Sequence, residues 1–279
     1  MRSYCYSPDC YRSHHDQNYF RLEKSSPFFW GSLVGVMGGL IGLGGAEFRL
    51  PILIQIFRYR TLQAIILNLV VSLVTVIFSL LFRSETISWN LLFANSPIII
   101  NILAGSLIGS YIGVNSATRI NEKQLNKIVV IFLIFISFIL IGHELIFNLD
   151  TWEIANYFQI IAALVAGVVI GIFSSLLGVA GGELIIPTII LIFAVDIKLA
   201  GSLSLAISVP TILMGLFKYH RQHKLREIKS ESGFLLMMGM GSIVGALIGS
   251  YLLQYFASSI LYWILGIILL ISAFKLAKH

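Results

Sequence analysis

The sequence predicts an all-α polytopic membrane protein: two inverted-topology repeats of about five transmembrane segments each, with broken or short helices where the repeats meet. Three observations predict it. The 279-residue chain is 57% hydrophobic and only 11% charged, and its apolar residues fall in long uncharged runs. The second half repeats the first at a constant offset of 136 residues, so that Gly45 falls on Gly181, Glu47 on Glu183 and Pro51 on Pro187. Corresponding loops of the two halves have exchanged their charge.

The chain begins with a polar stretch, residues 1–26, that has no apolar core and is therefore not read as a signal peptide. It is expected to be a disordered cytoplasmic tail. Cys5 and Cys10 stand there beside His14 and His15. A metal site is one use of such residues, but their spacing matches no tight zinc pattern. In the cytoplasm both thiols would be reduced.

The first repeat, 27–146, offers apolar segments at about Pro27–Leu43, Ala46–Phe57, Leu62–Phe82, Leu91–Val114 and Lys127–Gly142. The second, 154–279, offers them at about Ile154–Val179, Gly182–Val195, Leu199–Phe217, Ser232–Phe256 and Ser258–Phe274. A bilayer core of about 30 Å needs roughly 20 apolar residues in a helix. Leu62–Phe82, Leu91–Val114, Ile154–Gly182, Leu199–Phe217 and Ser232–Phe256 meet that length without one Asp, Glu, Lys or Arg. The second segment of each half is short. It crosses as a short helix, or it dips in and returns, where protein rather than lipid surrounds it.

Loop charge favours crossing. With every segment spanning and the N-terminus inside, the inner loops hold Arg58 and Arg60; Arg119, Lys123 and Lys127; and Lys218, Arg221, Lys224, Arg226 and Lys229. The outer loops hold Arg83 with Glu85; Glu144, Asp150 and Glu153; and Asp196 with Lys198. That distribution is positive-inside, with both termini cytoplasmic. Five spans is an odd number, so the two halves are expected to point in opposite directions. The net charge of +6 marks cytoplasmic loops in this setting and does not suggest a nucleic-acid partner.

The two segments "GLGGAEFRLP" (Gly42–Pro51) and "GVAGGELIIP" (Gly178–Pro187) interrupt apolar sequence with glycines, a carboxylate and a proline. Glycine accepts positive φ, so Gly44-Gly45 and Gly181-Gly182 are expected to end one helix and start the next at about Ala46 and Glu183. A helix start presents unbonded N–H groups and partial positive charge. Two such starts facing each other would suit an anion. Gly44, Gly45, Ala46, Glu47, Gly181, Gly182 and Glu183 are therefore the candidate substrate-binding residues, with Ser72 and Ser208 as cavity lining. The competing use of each glycine is close helix packing, which is the plainer expectation for Gly105/Gly109/Gly113 and Gly241/Gly245/Gly249.

Glu47 and Glu183 are also the candidate coupling residues. Each either satisfies N–H donors in its own first helical turn or carries a proton during transport. Arg49 has no counterpart, since Ile185 occupies its place. Its expected roles, in order, are pairing with Glu47, reaching the cytoplasmic surface, and contacting an anion. Pro210 should kink its span, and Asn68 matches Ser204.

These motifs resemble the glycine-rich breaks of the TauE/SafE family of membrane permeases, the sulfite exporter family, whose form is G-x-G/A-G-G-x-x-x-x-P in each half. The second copy fits that form, and the first has Ala46 at its third glycine. The resemblance runs from about Phe28 to the C-terminus. It implies a permease for a small sulfur-containing anion, such as sulfite or an organosulfonate, in a bacterial cytoplasmic membrane, with no cofactor. The polar tail lies outside the common pattern, and a glutamate in both motifs departs from it.

Three function classes follow. A secondary transporter with alternating access fits the repeats. An intramembrane enzyme is disfavoured, because no His, Cys or Asp falls within a confident span. A channel, or a cation or proton carrier, remains the alternative, because paired carboxylates suit a cation. There is no G-x-x-x-x-G-K-[ST] pattern for ATP. Substrate identity, flux direction, coupling ion and homo-oligomeric state are open at this point.

Overall fold

Apolar runs bounded by glycine, serine and proline become ten helices among the described residues, and no strand occurs among them. The computed structural model describes residues 26–116, 156–177, 181–221 and 231–277, together with Ile134 and Ile228. In order these are α1 (Ser26–Ile41), α2 (Ala46–Gln55), α3 (Thr61–Arg83), α4 (Trp89–Ala94), α5 (Ser96–Ser116), α6 (Asn156–Leu177), α7 (Gly182–Phe193), α8 (Ile197–Arg221), α9 (Ser232–Leu252) and α10 (Ser258–Ala277). Among the described residues four stretches, Leu62–Arg83, Tyr157–Ser174, Ile197–Arg221 and Ser232–Leu252, are long and apolar enough to cross a membrane. Large apolar side chains such as Phe29, Phe93, Tyr157, Leu236 and Met240 face outward. That surface is costly in water and suited to lipid. The protein is a multi-pass membrane protein.

One expected segment is divided. Leu91–Val114 is two helices, α4 and α5, separated at Asn95. The reason is local polar chemistry. The Ser88 hydroxyl accepts from the Leu91 N–H at the start of α4, and the Asn95 side chain donates to the Leu91 carbonyl at its end. Pro97 then stands in the first turn of α5, where a missing N–H costs nothing. The expected segment Lys127–Gly142 lies outside the described residues except for Ile134, as do the N-terminal cysteines and histidines and most of the basic loop after Arg221.

Glycine decides which helices pair. Along α1, a β-carbon on Gly35 would stand 2.5 Å from the Ser242 carbonyl oxygen, and one on Gly39 2.5 Å from that of Ala246. From the other side, Gly241, Gly245 and Gly249 of α9 press on the backbone of Phe28, Ser32 and Val36. The second such seam joins α5 to α6: Gly105 and Gly109 meet Leu164 and Val168, while Gly167 and Gly171 meet Ile102 and Ser106. With no Cβ in the way, backbones approach to van der Waals contact, which is the attraction available to helices in lipid. Packing is thus the use made of these glycines. The two seams are related by the repeat, since shifting Gly31–Met238 and Gly241–Phe28 by the offset gives Gly167–Ile102 and Gly105–Leu164.

The contacts also fix directions. Residue numbers rise together along both seams, so α1 runs with α9 and α5 with α6. Ser106 meets Thr211 and Tyr111 meets Lys218, so α5 runs with α8. The corresponding helices α3 and α8 run oppositely: Arg83 reaches Ser202 at one end, and Leu69 lies against Gly215 at the other. The turn after α2 docks on the start of α9, where Phe57 and Tyr59 pack edge-on to Phe234 and the Tyr59 hydroxyl bonds Glu231 at 2.7 Å.

Candidate functional site

Both glycine breaks adopt the conformation that their composition predicts. Gly42, Gly44 and Gly45 have φ of 94°, 80° and 73°, and Gly181 has φ of 77°. An L-residue pays about 1–2 kcal/mol per position in this left-handed region. Gly45 is the N-cap of α2 and Gly181 the N-cap of α7, at matching positions of the repeat. Neither helix start has a side-chain cap, so its leading N–H groups keep their partial positive charge. Helix α7 begins at Gly182, one residue before the expected Glu183.

The break lies inside the bundle. Gly38 sits between the Thr75 methyl group and the backbone of Gly44. Thr75 is well along α3, about 20 Å from its start at 1.5 Å per residue. The second break comes to the same place: a β-carbon on Gly182 would meet the Leu43 carbonyl oxygen at 2.7 Å. Gly42 in turn abuts the backbone of Gly201 in α8. The candidate residues Gly44, Gly45, Ala46, Gly181 and Gly182 are all buried.

The two carboxylates meet there. Glu47 and Glu183 are near enough to act on each other electrostatically. Both Glu47 carboxyl oxygens are shielded from solvent and lie near the backbone N–H groups of Glu47 and Glu183 without closing a well-formed hydrogen bond. Glu183 is buried as well. Each glutamate stands four residues before a proline, Pro51 or Pro187, and so each loses the N–H that would have bonded its own carbonyl.

Arg49 departs from the second expected role, and of the first it keeps only an electrostatic attraction to Glu47, with its hydrogen bonds going elsewhere. It is fully buried, so it does not reach the surface. It donates to three hydroxyls, Ser72 at 2.8 Å, Thr75 at 3.0 Å and Ser242 at 3.3 Å. Its Nε–H has no partner. Hydrogen bonds to a charged group contribute about 1.5–3 kcal/mol each, against a desolvation cost of several kcal/mol for the ion. Neutral hydroxyls thus offset the burial of this charge without neutralising it.

The hydroxyl cluster is repeated without its cation. Thr75 bonds the Val71 carbonyl, and Thr211 bonds the Ile207 carbonyl, its equivalent. Ser106 lies 3.2 Å from Thr211, as Ser242 adjoins Thr75 through Arg49. Ser208 is buried at the position equivalent to Ser72. Asn68 donates to the Ala46 carbonyl at 3.0 Å and so ties α3 to the first turn of α2.

The sequence did not single out Arg83 as anything but a loop residue. It is 1% exposed. It donates to the Gly39 and Leu40 carbonyls at the end of α1 and to the Lys198 carbonyl and Ser202 hydroxyl of α8. It satisfies carbonyls that the α1 terminus leaves open. A lone arginine bounding an apolar run looks the same in sequence whether it faces water or carbonyls.

Comparison with known proteins adds the last observation. No curated protein and no solved structure matches the chain. The family described as "Sulfite exporter TauE/SafE" matches residues 9–140 and 163–279, nearly the whole length and both glycine breaks. The chain belongs to the TauE/SafE sulfite exporter family, a family of membrane transporters.

Proposed function

We propose that the protein is a secondary transporter that moves a small sulfur oxyanion or organosulfonate, such as sulfite, across the bacterial cytoplasmic membrane by alternating access. The observation that carries this reading is the meeting of the two uncapped helix starts inside the bundle, with Gly182 against Leu43. Backbone N–H groups bared by glycine suit an oxyanion. An inverted repeat supplies the motion: α3 and α8 run oppositely, and both glycine seams join one half to the other, so two bundles can rock about the breaks. Glu47 and Glu183 are the proton-coupling pair in this scheme, because two ionised carboxylates beside an anion would repel it.

A second reading is a cation or proton carrier. The buried Glu47 carboxyl beside Glu183 favours it. Purified protein in liposomes separates the two. Counterflow of radiolabelled sulfite, with dependence on an imposed pH gradient, is the expected result. Proton or metal currents with no sulfite counterflow would replace the first reading with the second.

A further inference from the structure

We infer that Arg49 is the cationic anchor of the transported anion, and that the anion therefore binds on one side of the paired breaks, against the first copy. This rests on the reading of the protein as an anion transporter and names the group that selects for charge.

Four observations converge on it. Arg49 is completely buried. Its donors go to hydroxyls only, two from α3 and one from α9, so no carboxylate is bonded to it and Glu47 acts on it only through space. Its Nε–H remains unspent among buried atoms. It lies in the first turns of α2, whose uncapped start adds charge of the same sign. A guanidinium is planar and fork-shaped, and matches two oxygens of an oxyanion where an ammonium offers one point of charge.

A purely structural arginine would be expected to end mainly on carbonyls or a carboxylate, as Arg83 does on Gly39, Leu40 and Lys198 with one further bond to the Ser202 hydroxyl. Arg49 instead ends on side chains that rotate. Thr75 and Ser242 give their protons to the Val71 and Gly31 carbonyls and present only lone pairs to Arg49. An arriving oxyanion replaces one such weak acceptor with a charged one, and the hydroxyl keeps its backbone bond. The equivalent Ile185 is fully buried and carries no charge, so the second copy provides no such anchor.

The test compares wild type with Arg49→Ile and Arg49→Lys. Isoleucine copies what the second repeat carries at that place, and lysine keeps charge without the fork. Sulfite should raise the thermal midpoint of the wild type and leave that of Arg49→Ile unmoved. In sulfite counterflow, Arg49→Lys should raise KM at least tenfold. A structural role alone would lower the midpoint of the free protein yet preserve the sulfite-induced shift. That result, or an Arg49→Lys KM within twofold of wild type, overturns the anchor. If wild type shows no sulfite counterflow, the shift series is repeated with sulfate, phosphate and taurine. An Arg49-dependent shift by one of them keeps the anchor and retires sulfite as the substrate. No shift by any of the four overturns the anchor together with the anion reading.

Discussion

Gly182, the first residue of α7, faces the backbone of Leu43 in the other half of the chain, with room for a hydrogen and none for a methyl group. A β-carbon there would lie 2.7 Å from the Leu43 carbonyl oxygen and 2.9 Å from its Cα. Backbone cannot step aside as a side chain does. Gly182→Ala should therefore cost about 1–3 kcal/mol by overpacking, read as a lower thermal midpoint, and should cut sulfite counterflow sharply. A midpoint and flux equal to wild type would mean that the two breaks do not touch.

The two N-cap glycines should differ in what they tolerate. Gly45→Ala and Gly181→Ala both force an L-residue to positive φ, at about 1–2 kcal/mol. The three atoms nearest the missing methyl of Gly181 belong to side chains, the first being the Ile170 methyl at 3.1 Å. Gly45 meets both the Val34 side chain and the Val34 carbonyl oxygen, the latter at 2.8 Å. Gly45→Ala is expected to be the more destabilising of the pair. The reverse order in thermal unfolding would refute the geometry at the first break.

Glu47→Gln and Glu183→Gln mimic the protonated carboxyl in shape and cannot release a proton. If the pair carries the coupling proton, sulfite flux in either variant should stop responding to a pH gradient while unfolding changes little. A pH response identical to wild type in both variants removes the coupling role. Loss of fold in Glu183→Gln alone would instead make that residue structural.

Arg83→Gln should be among the most damaging changes outside the breaks. It strands the Gly39, Leu40 and Lys198 carbonyls and the Ser202 hydroxyl from their donors. Unsatisfied buried groups cost about 1–3 kcal/mol each, although glutamine recovers some of that. A large fall in thermal midpoint is expected, and lysine should restore part of it. An unchanged midpoint would show that water serves those carbonyls.

The seams predict position-specific intolerance. Gly245→Ala and Gly109→Ala press a methyl onto the Ser32 and Val168 carbonyls, whereas Gly239 has open space beside it. Gly239→Ala should be neutral or slightly stabilising, since alanine favours helix by about 1 kcal/mol over glycine. Equal effects at all three positions would contradict the seams.

Much of this arrangement was legible in the primary structure because polar interruptions in apolar sequence are expensive and so carry information. The offset between Gly45 and Gly181 located both breaks, and the φ values at those residues match the turn that glycine permits. Helix α4 was hidden, since Ser88 and Asn95 act through local side-chain bonds that apolar length does not reveal. Arg49 and Arg83 were misplaced for one physical reason. A charge in a membrane chain is usually explained by loops or by an opposite charge, and here hydroxyls and carbonyls from helices distant in sequence receive both. Those partners become visible only when the helices are assembled.

The seam between α1 and α9 has a consequence for biosynthesis. Some two hundred residues separate the two strips of glycine, and translation at about 5–20 residues per second puts tens of seconds between them. Throughout that interval the newly inserted α1 presents its glycine strip to lipid, or to whatever insertion machinery shelters it. A ribosome that stalls within the second copy would leave behind a fragment with an open seam, a natural target for membrane quality control.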